Sequence, residues 1–201
     1  MRVGLFRLEQ PTEGGEFGPE TVLDYYQPCR ACNRESSIAR VEVFDLVLSY
    51  WGGGDLFSCP PEFAITDGLA ETLKSRRLSG FELAKMKVSL SDDYTDSGGG
   101  HLGPVHLNWL KIQEVVDGPL TNYSLIGVCK KCDRDILMPQ FRQEEAVFDL
   151  PKQSVIQHSA WRGQDIFRGR EPGTVFITDR FVSALDSIGS QGYRVTPALW
   201  A

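Results

Sequence analysis

The residues of this chain best suited to chemistry are four cysteines in two Cys-x-x-Cys pairs, Cys29-Arg30-Ala31-Cys32 and Cys129-Lys130-Lys131-Cys132. Two thiolates three positions apart on a tight turn can bind one metal ion together, and two such pairs complete a tetrahedral set of four sulfurs. A set of that kind leaves no open coordination position, so it builds structure rather than catalysing a reaction. The residue after the second cysteine of such a turn commonly takes the left-handed conformation, which asparagine and aspartate tolerate best after glycine. Asn33 and Asp133 hold those positions. The pattern predicts one structural zinc per chain on Cys29, Cys32, Cys129 and Cys132. Free thiols, a thioredoxin-like redox pair and disulfides are the competing readings. The redox pair fits poorly, because neither Cys pair opens a helix after a strand. Cys59 stands alone before Pro60-Pro61 and reads as a buried bystander.

The distance from Cys32 to Cys129 far exceeds the gap within an ordinary zinc ribbon, and a repeat in the sequence answers that objection. After the first pair come Trp51-Gly52-Gly53-Gly54-Asp55-Leu56-Phe57 and Ile65-Thr66-Asp67. After the second come Trp161-Arg162-Gly163-Gln164-Asp165-Ile166-Phe167 and Ile177-Thr178-Asp179. Leu73, Ser75, Gly80 and Phe81 then match Leu185, Ser187, Gly192 and Tyr193. Equivalent parts of two copies can meet at a pseudo-two-fold axis, which would bring the four thiols together. The expected fold is α+β and internally duplicated: two pseudo-symmetric β-rich halves, each with a Cys-x-x-Cys knuckle and one main helix. The expected divisions are a first repeat over 1–88, a linker over 89–104 and a second repeat over 105–201, joined in one compact unit by the shared zinc.

The elements that must position the cysteines follow from local pattern. Val3, Leu5 and Leu8 open a strand, Gly14-Gly15 suggests a turn, and Val22 to Tyr26 returns to the first Cys pair. Leu107 to Val116, a Gly118-Pro119 turn and Ser124 to Val128 do the same for the second. Ile38 to Leu48 is rich in Val and Phe and reads as one strand, with a weaker counterpart over Ala146 to Ile156 interrupted by Pro151. Thr66 or Asp67, and Thr178 or Asp179, can cap the two clear helices. Leu69 with Leu73, and Phe181 with Leu185, place one apolar stripe on each.

With a net charge of −6 and pI near 5.1, the chain lacks the basic balance of a nucleic-acid binder and suits a basic protein partner. No stretch approaches the roughly 18–20 apolar residues of a membrane span. Met1 to Glu9 is too short and too charged for a signal peptide, so the chain is expected in the cytoplasm, where paired thiols stay reduced. No Gly-x-Ser-x-Gly elbow, phosphate-binding loop or His-Glu-x-x-His is present, and Gly98-Gly99-Gly100 lacks the lysine and helix start of a phosphate loop. His101, His106 and His158 are scattered and unmatched between copies. No enzyme is expected. The repeated Trp-x-Gly-x-Asp block reads as core and turn, although Asp55 and Asp165 could instead be symmetric partner-binding carboxylates.

Together, the two Cys pairs, Trp161 to Phe167, and the run Phe176-Ile177-Thr178-Asp179-Arg180-Phe181 ending in Gly192-Tyr193-Arg194-Val195 resemble the bacterial double-CxxCG proteins, a family associated with immunity to polymorphic toxins. The chain departs from that pattern where Asn33 and Asp133 replace the glycine after each pair. The resemblance implies a cytoplasmic antitoxin that binds and neutralises a cognate toxin, such as a nuclease with a basic surface. Specificity should then sit where the copies differ, on the acidic residues Asp92, Asp93 and Asp96 of the linker and Glu144 and Glu145 of the second insertion. The alternative is a zinc-ribbon-like nucleic-acid-binding or regulatory protein. It calls for a Lys/Arg stripe, and the only basic clusters are Lys130-Lys131 and Arg76-Arg77.

Overall fold

The computed structural model describes residues 3–9, 13–32, 37–96, 106–118, 123–139, 154–171 and 173–201. Strands β1 (Leu5–Glu9), β2 (Glu13–Phe17), β3 (Val22–Tyr26), β4 (Ser37–Val43) and β5 (Asp45–Trp51) come first. The hairpin of β6 (Leu56–Cys59) and β7 (Glu62–Thr66) leads into helix α1 (Asp67–Ser75), then β8 (Phe81–Lys85) and β9 (Lys87–Asp96). Next are β10 (Leu107–Ile112), β11 (Val115–Val116), β12 (Tyr123–Val128), β13 (Asp135–Pro139) and β14 (Val155–Ile156). Then β15 (Ile166–Gly169) and β16 (Val175–Thr178) precede helix α2 (Asp179–Ser187), β17 (Arg194–Pro197) and β18 (Leu199–Trp200). The fold is mixed α+β, mostly strands with two helices. Among the described residues no helix is long and apolar enough to cross a membrane.

One sheet has the order β8-β10-β7-β6-β2-β5-β9 and another the order β11-β15-β16-β1-β17. Three two-stranded sheets, β3–β4, β12–β13 and β14–β18, complete the set. Both large sheets contain the same arrangement. An antiparallel hairpin, β6–β7 or β15–β16, runs directly into a helix. A parallel neighbour flanks the hairpin's first strand, β2 beside β6 and β11 beside β15. A strand from elsewhere separates the pre-helix strand from the post-helix strand. In the first sheet β10 lies between β7 and β8, and in the second β1 lies between β16 and β17. The register is common to both: Leu107 faces Thr66 and Leu110 faces Phe63, as Leu5 faces Thr178 and Leu8 faces Val175.

Both helices begin at the expected threonines. Thr66 accepts from the Leu69 N–H at 3.3 Å and satisfies one of the exposed donors of the first turn. Thr178 occupies the same place before α2 but turns its hydroxyl to the Asp165 carboxylate at 2.9 Å. Leu69, Ala70 and Leu73 of α1 and Phe181, Ala184 and Leu185 of α2 pack into one apolar cluster with Leu8, Leu56, Phe63, Leu110, Ile166 and Val175. That cluster draws on both large sheets and both helices. Each Leu, Ile or Phe buried there contributes about 1.5–3 kcal/mol of hydrophobic stabilisation, so neither helix has an apolar face of its own to spare. Smaller clusters lie on the outer faces, one around Phe44, Leu46, Leu48 and Trp109, the other around Leu5, Phe167, Phe176 and Trp200.

Three local expectations change. Gly14-Gly15 is not a turn but lies inside β2, where a Cβ on Gly15 would stand 2.5 Å from the Val47 carbonyl oxygen. Glycine is used there for close strand approach, not for a bend. Ile38 to Leu48 is two strands rather than one. Buried Asp45 pins the corner between them, its carbonyl accepting from the Gly18 N–H at 2.8 Å and its carboxylate from the Glu20 N–H at 3.1 Å. Ser89 to Asp96, expected as the start of a linker, belongs to β9, which pairs in parallel with β5. Backbone pairing offsets its polar composition. Residues 97–105 lie outside the described residues, as does most of the strand expected over Ala146 to Ile156. Its last two residues form β14.

Candidate metal centre

Each Cys pair lies at the end of a two-stranded sheet separate from the two large ones. Cys29 and Cys32 follow β3, and Cys129 and Cys132 join β12 to β13. The turns close on themselves: Cys32 N–H donates to the Cys29 carbonyl at 3.3 Å, and Asp133 N–H to the Cys129 carbonyl at 2.8 Å. Asp133 adopts φ +51°, the left-handed conformation anticipated for its position. Asn33 lies outside the described residues.

The four Sγ atoms converge, all within 4.8 Å of one another. Like faces like across the site: Cys29 Sγ is 3.8 Å from Cys129 Sγ, and Cys32 Sγ is 4.0 Å from Cys132 Sγ. A sulfur tetrahedron around one ion with bonds of about 2.3 Å has edges of about 3.8 Å. The cysteines are therefore placed to hold a metal ion, with Cys29 and Cys129 buried and Cys32 and Cys132 half-buried. All four are free thiols.

The backbone prepares some of these sulfurs for the thiolate form. N–H groups of Lys131 and Cys132 point at Cys129 and bring its thiol down to about 6, against the opposing effect of burial. Cys29 is lowered in the same way, chiefly by the Ala31 N–H. Cys132 is pushed up to about 11, first by burial and then by sharing a proton with Cys129. A metal ion would displace the proton that Cys132 retains, so binding would release protons.

Contacts outside the sulfurs set the hairpins' relative position. The Arg134 guanidinium lies over the Tyr26 ring at 3.6 Å and joins the second hairpin to the first. Arg170 donates twice to Asp135 Oδ2, at 2.9 and 2.7 Å, which ties β13 back to the end of β15. On the first hairpin Val41 and Leu23 are anchored in the outer core around Phe44. Sequence reasoning missed Tyr26, Arg134 and Arg170. A tyrosine three residues before Cys29 and an arginine two after Cys132 were the available signal.

The hairpins also expose apolar surface. Of the twelve large apolar side chains left exposed among the described residues, Val22, Tyr25, Tyr26, Val43, Leu125, Ile126, Val128 and Met138 lie on these two hairpins. Arg30, Lys130 and Lys131 are exposed on the turns themselves. Such a concentration of apolar surface marks an interaction face more readily than scattered single residues do.

The remaining candidates are dispersed. Asp92 and Asp93 are exposed on β9, far along the chain from the thiols. The Asp96 side chain, Glu144 and Glu145 lie outside the described residues, and so does His101. His106 is exposed. His158 packs edge-on against Trp161 and Trp200, with ring centroids 5.5 and 5.3 Å away. Asp55 and Asp165 work inside the fold. Asp55 accepts from the Thr66 hydroxyl at 2.6 Å, and Asp165 from the Thr178 hydroxyl. Trp51 and Trp161 each donate to a carbonyl three residues on, both at 2.8 Å. Cys59 is buried apart from the other four.

Compared with known proteins, the chain matches no protein-family model and no curated sequence.

Proposed function

We propose that this chain is an immunity protein, a binding protein without turnover that neutralises a cognate polymorphic toxin, with a nuclease the class best suited to its acidic balance. The observation that carries the reading is the pair of Cys hairpins, which are closed by four thiols and carry most of the exposed large apolar side chains among the described residues. A four-sulfur site has no coordination position for a substrate, whereas apolar surface exposed on the two hairpins suits a protein partner. The metal is read as zinc, one per chain, because four cysteine sulfurs at tetrahedral spacing favour it. The two halves are read as copies of one unit, each with a Cys knuckle and one helix; the common register of β1 and β10 supports this. Asp92, Asp93 and Asp96, with Glu144 and Glu145, remain the proposed acidic contacts, and the cytoplasm the proposed location.

Co-expression with the protein encoded beside this gene tests the function: the chain should protect cells and co-purify with that protein. Absence of protection sinks the assignment. Metal analysis tests the site, with one zinc expected per chain, lost in Cys129→Ser and kept in Cys59→Ser. A zinc-free, chelator-resistant protein would refute it.

A zinc-ribbon-like nucleic-acid-binding or regulatory role is the second reading. Exposed Arg30, Lys130 and Lys131 on the Cys turns favour it. It requires salt-dependent binding of DNA or RNA that weakens when these three are replaced by alanine.

A further inference from the structure

β1 and β10 are each built into the sheet that contains the other half's helix hairpin. β8 is an edge strand whose neighbour is β10, and β17 is an edge strand whose neighbour is β1. Without β10, β8 would lose its ladder and β7 one edge. Without β1, the same would befall β17 and β16. The exchanged strands are buried on both faces. Leu8 and Leu110 enter the central cluster, whereas Leu5 and Leu107 enter the two outer ones. A strand with one leucine for each face, three residues apart, is what either slot accepts.

We propose that the halves are strand-exchange partners: the slot between β7 and β8 and the slot between β16 and β17 are interaction surfaces, and each fits the opening strand of the other half. The partner is supplied by the same chain, and the halves should stay assembled when the connection between them is cut. This goes beyond the toxin-binding reading and does not depend on it. The metal site is a second tie between the halves, and the exchanged strands hold them without it.

The test uses the full chain with a protease recognition sequence introduced between Asp96 and His106. After cleavage both pieces should co-elute at the size of the uncut protein, with metal bound and again after chelation, and separate only in denaturant. Pieces that elute as two folded species of half the mass would overturn the proposal, as would separation on chelation alone. Two cysteine pairs placed across the exchanged ladders read the topology directly: Glu9→Cys with Arg194→Cys, and Lys111→Cys with Glu82→Cys, each facing in register. Oxidised, metal-loaded and cut, either variant should run as one band on a non-reducing gel and as two after reduction. Two bands before reduction in both variants would mean that the strands are not exchanged.

Discussion

Asp55 and Asp165 occupy matching places before the two helix hairpins, yet truncating them to alanine should have unequal costs. Asp165 is 1% exposed. Its Oδ2 accepts from the Ser79 N–H at 3.0 Å and the Ser79 hydroxyl at 3.3 Å, and its Oδ1 from the Thr178 hydroxyl at 2.9 Å. Arg180 Nη1 donates to both oxygens, at 3.2 and 3.1 Å. The Arg180 side chain is 54% exposed, so water can replace that pairing and its loss should cost well under about 1 kcal/mol. The Thr178 hydroxyl belongs to a fully buried residue and would be stranded, whereas Ser79 is exposed and water can reach its groups. At about 1–3 kcal/mol for an orphaned buried group, with the weaker losses at Ser79 and Arg180 added, Asp165→Ala should cost about 3 kcal/mol. Asp55 is half-buried, and its partner Thr66 is close enough to solvent for water to substitute, so Asp55→Ala should cost about 1 kcal/mol. Urea titration of both variants, metal-loaded and with unchanged m-values, should therefore separate them by about 2 kcal/mol. In thermal unfolding that is a difference of about 4–8 °C for a chain of this size. An Asp55→Ala variant as unstable as Asp165→Ala would refute the claim that burial of the stranded partners sets the cost.

Two further contrasts follow from local geometry. Gly80 sits at φ +97°, and a Cβ there would lie 2.0 Å from the Ile166 carbonyl oxygen, whereas Gly53, at φ +90°, has no atom near such a Cβ. Gly80→Ala should cost several kcal/mol by denaturant titration and Gly53→Ala only about 1–2, the conformational strain alone. Cys59 is buried, with Glu16 and Glu62 nearby, and its thiol is pushed up to about 11 from an ordinary 9.0, first by burial and then by those carboxylates. The unfolded chain would ionise this thiol first. Its contribution to stability is thus complete below about pH 9 and declines as pH rises to about 11, and Cys59→Ala should remove that part of the decline. Native, metal-loaded protein should also resist iodoacetamide at Cys59 at pH 8, and rapid modification would show the thiol to be accessible.

The convergence of the thiols was legible because metal chemistry restricts residue type and spacing together. Few arrangements of two distant Cys-x-x-Cys pairs other than a common site agree with the matching Trp, Asp and Thr-Asp landmarks. The helices were legible for a similar reason, since Thr66 and Thr178 mark the starts and four-residue apolar spacing marks the buried faces. Strand placement was less so. Gly14-Gly15 carries the composition of a turn, but glycine also permits the close approach that β2 makes to β5, and composition alone cannot separate the two uses. β9 has the composition of a linker because one of its edges faces solvent and its ladder with β5 asks only for backbone groups.

The strand exchange was invisible for a stronger reason. β1 presents Leu5 and Leu8, and β10 presents Leu107 and Leu110, at the same spacing and, in the fold, the same register. A chain in which each half kept its own first strand would require the same pattern at the same positions. Hydrophobic periodicity therefore specifies a strand with two buried faces but not which slot receives it. What decides between the slots is the route of the chain around the joint, and the Cys site lies on that joint. A metal ion there would hold the hairpins of both halves together, while the exchanged strands commit each half's sheet to the other. Folding of either half should then depend on both, and the central cluster should melt as a single cooperative unit. Calorimetry of the metal-loaded chain giving a van't Hoff enthalpy well below the calorimetric one would contradict this, because it would mean that one half can open while the other keeps its borrowed strand.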